Sequence, residues 1–176
     1  ARLVVSAPSM APVDEEIEVI LSAQDAYGNV VTDYAGTVAL SSSGRSELPA
    51  QVGLGADTRG VTRFRARFPD AGAHWIAARD GSGLEATSDP ILAVESMPEM
   101  RPYWGDLHGH SRISADGIGK ADAMYAFSRD VAGLDFAALT DHHTSVDTAE
   151  WAITQRLARE FTEPGRFLAI LAYERS

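Results

Sequence analysis

The sequence predicts two domains of different fold class, an all-β sandwich followed by an α/β segment. Residues 61–68 alternate between apolar and polar or charged side chains, which is the period of a half-buried antiparallel strand. After residue 103, apolar runs of strand length alternate with helical patterns, which is typical of a parallel sheet built from βαβ units. The join over residues 97–102 contains two prolines and no periodicity, which favours a short stiff linker.

The first domain, residues 1–96, is predicted from short apolar runs separated by turn sequences. Within the run over 61–68, Phe64, Ala66 and Phe68 are expected on one face and the intervening arginines on the other. Turns rich in glycine, asparagine and aspartate follow at regular spacing, which favours a β-sandwich. The predicted strands cover residues 17–21, 37–40, 61–68, 74–78 and 90–94.

The second domain, residues 103–176, is predicted as strand, helix, strand, helix, strand. Gly133 is expected to end the first helix, and Asp147 is expected to cap the second. The predicted strands cover 103–108, 136–140 and 167–172, and the helices cover 121–132 and about 148–161.

Composition narrows the function classes. The chain has 176 residues and a net charge of −10, which argues against a non-specific nucleic-acid binder. It contains no cysteine, so a metal site must use histidine, aspartate and glutamate. Its apolar runs are shorter than a membrane span, so no transmembrane helix is predicted.

Each predicted strand of the second domain ends near a histidine or glutamate, which are residue types that commonly bind metal ions. His108 and His110 close the first strand, His142 follows the second, and Glu174 follows the third. Alternate residues of a strand project to one side, and the carboxyl ends of parallel strands meet at one edge. These four side chains are therefore expected to converge on divalent metal ions, for which Zn, Mn and Fe suit imidazole and carboxylate ligands.

Three aspartates near these ligands complete the predicted site. Asp116, in the loop after the first strand, is a further candidate ligand. Asp106 and Asp141 lie beside the ligand histidines. They are predicted either to support these histidines by binding the second ring nitrogen or to cap nearby backbone. No side chain is assigned as the catalytic group, because the reacting species is expected to be a metal-bound water.

The motifs of the second domain resemble the opening of a PHP (polymerase and histidinol phosphatase) domain, in its uncharacterised phosphoesterase-like branch. They are residues 103–111 (YWGDLHGHS), 114–117 (SADG) and 139–143 (LTDHH). The resemblance implies the βαβαβ portion of a distorted βα barrel, and hydrolysis of a phosphate ester with two or three metal ions in a full-length parent. Three strands do not close a barrel, so the chain is expected to be a fragment. The ligands implied are His108, His110, Asp116, His142 and Glu174.

A second resemblance lies in residues 23–31 (AQDAYGNVV) and 34–38 (YAGTV), which are similar to bacterial immunoglobulin-like modules. It implies an immunoglobulin-like sandwich and suggests a periplasmic or extracellular location. It does not identify the partner of the sandwich.

Two alternative functions stay open. An amidohydrolase-like metal hydrolase also opens with His-x-His on its first strand, although the Thr-Asp-His sequence at 140–142 and the Asp-Gly pair at 116–117 favour the phosphoesterase. Alternatively, the chain is a catalytically inert fragment that acts as a binding module.

Overall fold

A computed structural model describes residues 1–175 and divides the chain into two compact units, Ala1–Pro102 and the residues from Tyr103 onward. Each unit contains its own buried apolar cluster, so each is described by itself. Neither helix found within residues 1–175 has the length and apolar character needed to cross a bilayer.

The first unit is built of short strands. In chain order they are β1 (Arg2–Ser6), β2 (Met10–Pro12), β3 (Ile17–Gln24), β4 (Gly36–Ser42), β5 (Gln51–Leu54), β6 (Val61–Ala66), β7 (Gly72–His74), β8 (Ile76–Asp80), β9 (Glu85–Thr87) and β10 (Ile91–Val94).

These strands form an immunoglobulin-like sandwich. β1, β3 and β6 make one antiparallel sheet, and the facing strands run in the orders β5-β4-β8-β9 and β2-β10-β7. β7 and β8 are separated by Trp75 alone, so one long strand is interrupted at a single residue. The strands between β1 and β3, between β3 and β6 and after β6 lie outside the sheet of these three, so the chain crosses repeatedly between the two faces of the sandwich.

Alternation along β6 shows how the sandwich places its core. Phe64 and Ala66 are buried, whereas Arg63 and Arg65 are exposed, so the predicted alternation is confirmed. The guanidinium groups of Arg63 and Arg65 lie 3.4 and 4.0 Å from the carboxylate of Glu18 on β3. The arginine row is thus a solvated face with neutralising acidic neighbours.

The second unit alternates strands and helices. Its elements are β11 (Gly105–Gly109), α1 (Ala121–Asp130), β12 (Phe136–Leu139), α2 (Thr148–Phe161) and β13 (Leu168–Leu171). The strands pair in parallel in the order β11-β12-β13. The Asp147 carboxylate accepts hydrogen bonds from the amides of Ala149 and Glu150, and the Glu150 side chain accepts from the Asp147 amide, so the predicted cap of α2 is confirmed.

A small aromatic core holds this sheet to its helices. Tyr125 of α1 is fully buried and packs against Phe161 and Phe167. Its hydroxyl donates a hydrogen bond to the carbonyl of Ile170 on β13 at 3.0 Å, so one side chain ties α1 to the far edge of the sheet.

The predicted fold class, a sandwich followed by α/β structure forming part of a PHP-type barrel, is wrong in its second half. Most of the regular secondary structure is β-strand, and only two short helices are present among the described residues. β11 and β13 are the outer strands of an open three-stranded sheet, which is not a portion of a βα barrel. Strand–helix alternation predicts parallel pairing but not closure, because closure depends on strand number and stagger.

Candidate metal centre

The candidate ligands lie where the three parallel strands end. His108 is in β11 and His110 directly follows it, whereas His142 and Glu174 come three residues after β12 and β13. Backbone pairing continues beyond the strands, because residues 142 and 174 form a parallel bridge and the His143 amide donates to the Glu174 carbonyl at 2.9 Å. This bridge holds the second and third ligand segments side by side.

The first ligand group contains two imidazoles and one carboxylate. Glu174 Oε2 lies 3.2 Å from His108 Nε2 and 2.9 Å from His110 Nε2. Two histidines with one carboxylate are a common ligand set for Zn and for non-haem Fe.

The second ligand group shares His110 with the first. Its Nδ1 lies 3.0 Å from Asp116, and His142 Nε2 lies 3.3 Å from Asp116 Oδ2. Within each group the ligand atoms lie within 4.8 Å of one another. The structure therefore brings together all five predicted ligands, with His110 between the two groups.

Charge in this cluster is concentrated around His110, whose side chain is only 13% exposed. Burial lowers the pKa of His110, but hydrogen bonds and charge interactions with Asp116 and Glu174 outweigh burial, so its pKa is raised overall. Burial raises the pKa of Asp116, whereas hydrogen bonds with His110 and His142 bring it below its ordinary value. The two carboxylates favour positive charge on the ring between them, at a position that a cation would take over on binding.

One ring nitrogen supports the fit of a cation. His142 Nδ1 is buried without a hydrogen-bond partner and lies 3.6 Å from Glu174 Oε2. An unsatisfied buried nitrogen facing a carboxylate costs free energy, and a cation between them would remove that cost. The donors are nitrogen and oxygen only, so the residues present fit Zn, Mn or Fe.

Of the two roles predicted for Asp106 and Asp141, the structure shows the capping of backbone amides. Asp106 Oδ1 accepts a hydrogen bond from the His108 backbone amide at 3.0 Å, not from an imidazole. The Asp141 carboxylate accepts from the Ser111 amide and hydroxyl, each at 2.8 Å, and from the Ser114 amide at 3.3 Å. Both aspartates act on backbone that carries ligands rather than on the rings.

Ser111 and Ser114 are the residues that sequence reasoning missed. Both are fully buried. A Cβ at Gly117 would overlap the Ser111 carbonyl, so the loop is wound too closely for any other residue at that position. Two serines between a ligand pair and an Asp-Gly sequence are the signal that could have indicated this closed loop.

Comparison with known proteins gives partial likenesses only. No protein-family model matches the chain, and no curated protein matches it. It is similar to a glycosyl hydrolase of family 2 from Bacteroides cellulosilyticus (14% identity, TM-score 0.47, covering 53% of this chain and 14% of that one). It is also similar to the D00-D0 domain of intimin (16% identity, TM-score 0.44, covering 51% of this chain and 45% of that one). A third similar structure is an adhesin of Yersinia pseudotuberculosis (12% identity, TM-score 0.43, covering 52% of this chain and 31% of that one). The chain spans less than half the length of each.

Proposed function

We propose that the second unit is a divalent-metal centre that hydrolyses phosphate esters. The observation that carries the proposal is the convergence of three imidazoles and two carboxylates in two groups that share His110. The reaction class comes from the resemblance of the ligand motifs to PHP proteins, and it does not require their barrel.

The residues divide into two sets of cation ligands. His108, His110 and Glu174 would hold one cation. Asp116 and His142, with the second ring nitrogen of His110, would hold another. Divalent cations there would supply Lewis acidity, which activates water at neutral pH and neutralises phosphoryl oxygens. Without cations, the carboxylates of Asp116 and Glu174 repel a phosphate group.

Access to the site is from the side of the exposed ligands. The side chain of His108 is 66% exposed and that of Asp116 is 55% exposed, whereas Asp141 is buried. A phosphate ester would reach the cations from solvent, and the buried Asp141 would keep the ligand loop in place.

The test combines metal content with turnover. The chain loaded with Mn or Zn should hydrolyse p-nitrophenyl phosphate or its diester faster than an amide substrate, and it should bind inorganic phosphate only when loaded. The double substitution His108→Ala and His110→Ala should remove both metal and turnover.

His143→Ala is the matched control, because this neighbouring histidine belongs to neither ligand group. Unchanged metal content and turnover in the double variant would exclude the proposal, and faster amide hydrolysis would favour the amidohydrolase alternative.

A second candidate function is a binding module without turnover. It is favoured by the openness of the ligand groups and by the share of the chain that forms the sandwich, which contains ten of the thirteen strands in the described residues. A chain that binds stoichiometric metal but hydrolyses neither phosphate nor amide substrates would support this function over the first.

A further inference from the structure

Asp141 contacts all three segments that carry candidate ligands. It is 3% exposed, and its carboxylate accepts three hydrogen bonds from Ser111 and Ser114 in the loop that follows β11. Its own carbonyl accepts from the Glu174 amide at 3.1 Å, and it directly precedes His142 in the chain. A buried carboxylate is stable only when it is satisfied in this way, so the loop and Asp141 hold each other.

The two serines transmit this constraint to the ligands. Ser111 directly follows His110, and Ser114 lies two residues before Asp116. The Ser114 hydroxyl accepts a hydrogen bond from the His142 amide at 2.7 Å. A shift of the loop would therefore move ligands of both groups together.

We propose that Asp141 is a positioning residue, whose carboxylate fixes the 110–117 loop at the end of β12 so that His110 and Asp116 meet His142 and Glu174. The inference rests on the proposed metal centre and adds a role for a residue that binds no metal itself. Outer residues of this kind commonly set metal affinity by orienting the ligands.

The test is a Co²⁺ titration of the full chain followed by visible absorption, which reports ligand geometry. Asp141→Asn replaces one acceptor oxygen with a donor group, and it should weaken Co²⁺ binding roughly 10- to 100-fold and change the absorption bands. Asp80→Asn is the matched control, because Asp80 accepts from the Ser82 amide and hydroxyl and from the Leu84 amide in the sandwich. That variant should lose stability but keep the Co²⁺ affinity and spectrum.

A second variant and a metal-free measurement guard against misfolding. Ser111→Ala removes one hydroxyl and should weaken Co²⁺ binding less than Asp141→Asn does. Without metal, the amides of Ser114 and His142 should exchange hydrogen faster in both variants than in the unchanged protein. If Asp141→Asn does not fold, unchanged affinity in Ser111→Ala overturns the inference.

The outcomes separate this inference from the proposed function. Equal Co²⁺ affinity and spectrum in folded Asp141→Asn would overturn the positioning role and leave the metal centre standing. Failure of the unchanged protein to bind Co²⁺ would overturn the metal centre and the positioning role with it.

Discussion

The two units each contain a buried aspartate that closes a loop by the same contacts. In the sandwich, Asp80 accepts from the amide and hydroxyl of Ser82 and from a second amide two residues later. In the second unit, Asp141 accepts from the amide and hydroxyl of Ser111 and from the Ser114 amide. The Asp80 loop is local and joins β8 to β9, whereas Asp141 reaches back thirty residues to hold a loop with two candidate ligands.

This difference shows which kind of contact organises each unit. The sandwich is held by an apolar core of alternating side chains, and its polar loops can vary around that core. The second unit has a smaller apolar cluster and buries Ser111, Ser114 and Asp141 beside the ligands. Substitutions in the core of the first unit should therefore affect stability, whereas those at the ligands and their buried polar neighbours in the second unit should affect metal binding.

The largest expected effect is the loss of metal through His110→Ala, because His110 is the ligand shared by both groups. This variant should retain no bound metal after dialysis. His108→Ala should keep metal in the second group, since Asp116, His110 and His142 are unchanged. Elemental analysis of dialysed protein measures both results.

His143→Ala is the control for this pair, and it should retain the metal content of the unchanged protein. Equal retention in His110→Ala and His108→Ala would show that the two groups do not share a ligand in solution. Such a result would weaken the contrast between the units, because the metal site of the second unit would then not depend on one shared ligand.

The next largest effect is expected in the sandwich. Phe68 is fully buried and stacks on His74 with ring centroids 4.6 Å apart. Phe68→Ala should lower the free energy of unfolding by about 3–5 kcal/mol, because it removes a large side chain and leaves a cavity. Urea unfolding measures this loss, and Co²⁺ affinity should not change.

Leu92→Ala provides the comparison, since Leu92 is 40% exposed on β10. This substitution should lower the free energy of unfolding much less than Phe68→Ala does. A fall in Co²⁺ affinity in Phe68→Ala would show that the sandwich core contributes to the metal centre, against the separation argued above.

Much of the fold could be predicted from periodicity. The alternation over 61–68, the two helices and the three parallel strands are all observed. The predicted strand over 74–78 is interrupted at Trp75, and the short strands β1, β2, β5 and β9 were not individually predicted. Three to five residues are too few for an alternating pattern to stand out. Open or closed geometry of the parallel sheet is not encoded in any local pattern, which is why the barrel prediction failed.

The candidate site could be predicted only as far as ligand types and strand ends allow. His108, His110, His142 and Glu174 follow from those two features, and Asp116 follows from its loop. The partners of Asp106 and Asp141 could not be predicted, because a carboxylate beside a histidine can bind a ring nitrogen or a nearby amide equally well. The backbone path of the loop decides which of the two partners is bound, and that path leaves no periodic pattern in the sequence.

A smaller effect is expected at the start of α2. The Asp147 carboxylate accepts from two backbone amides there, and Asp147→Ala should lower the free energy of unfolding by about 1 kcal/mol. Lys120→Ala is a matched control at the start of α1, where no side-chain cap is made, and it should be nearly neutral. Co²⁺ affinity should be unchanged in both, since neither side chain is a ligand. Weaker Co²⁺ binding in Asp147→Ala would show that the effect on metal affinity is not specific to Asp141.

The last effect, which best isolates the sandwich, concerns Tyr34 and Asp80. The Tyr34 hydroxyl donates to Asp80 at 2.5 Å. Burial and this hydrogen bond raise the pKa of Tyr34 to about 12, and the bond from Tyr34, followed by that from Ser82, lowers the pKa of Asp80 to about 2.

Both shifts define the pH range in which this contact stabilises the sandwich. The contribution of Asp80 is fully present above its unfolded pKa of about 4 and is lost as the pH falls towards 2. That of Tyr34 is present below about pH 10 and is lost as the pH rises towards 12. The difference in unfolding free energy between the unchanged protein and Tyr34→Phe should therefore be largest between these limits and should shrink at both ends. Urea unfolding followed by far-ultraviolet circular dichroism measures it, and a difference that stays constant with pH would show that Asp80 closes its loop without Tyr34.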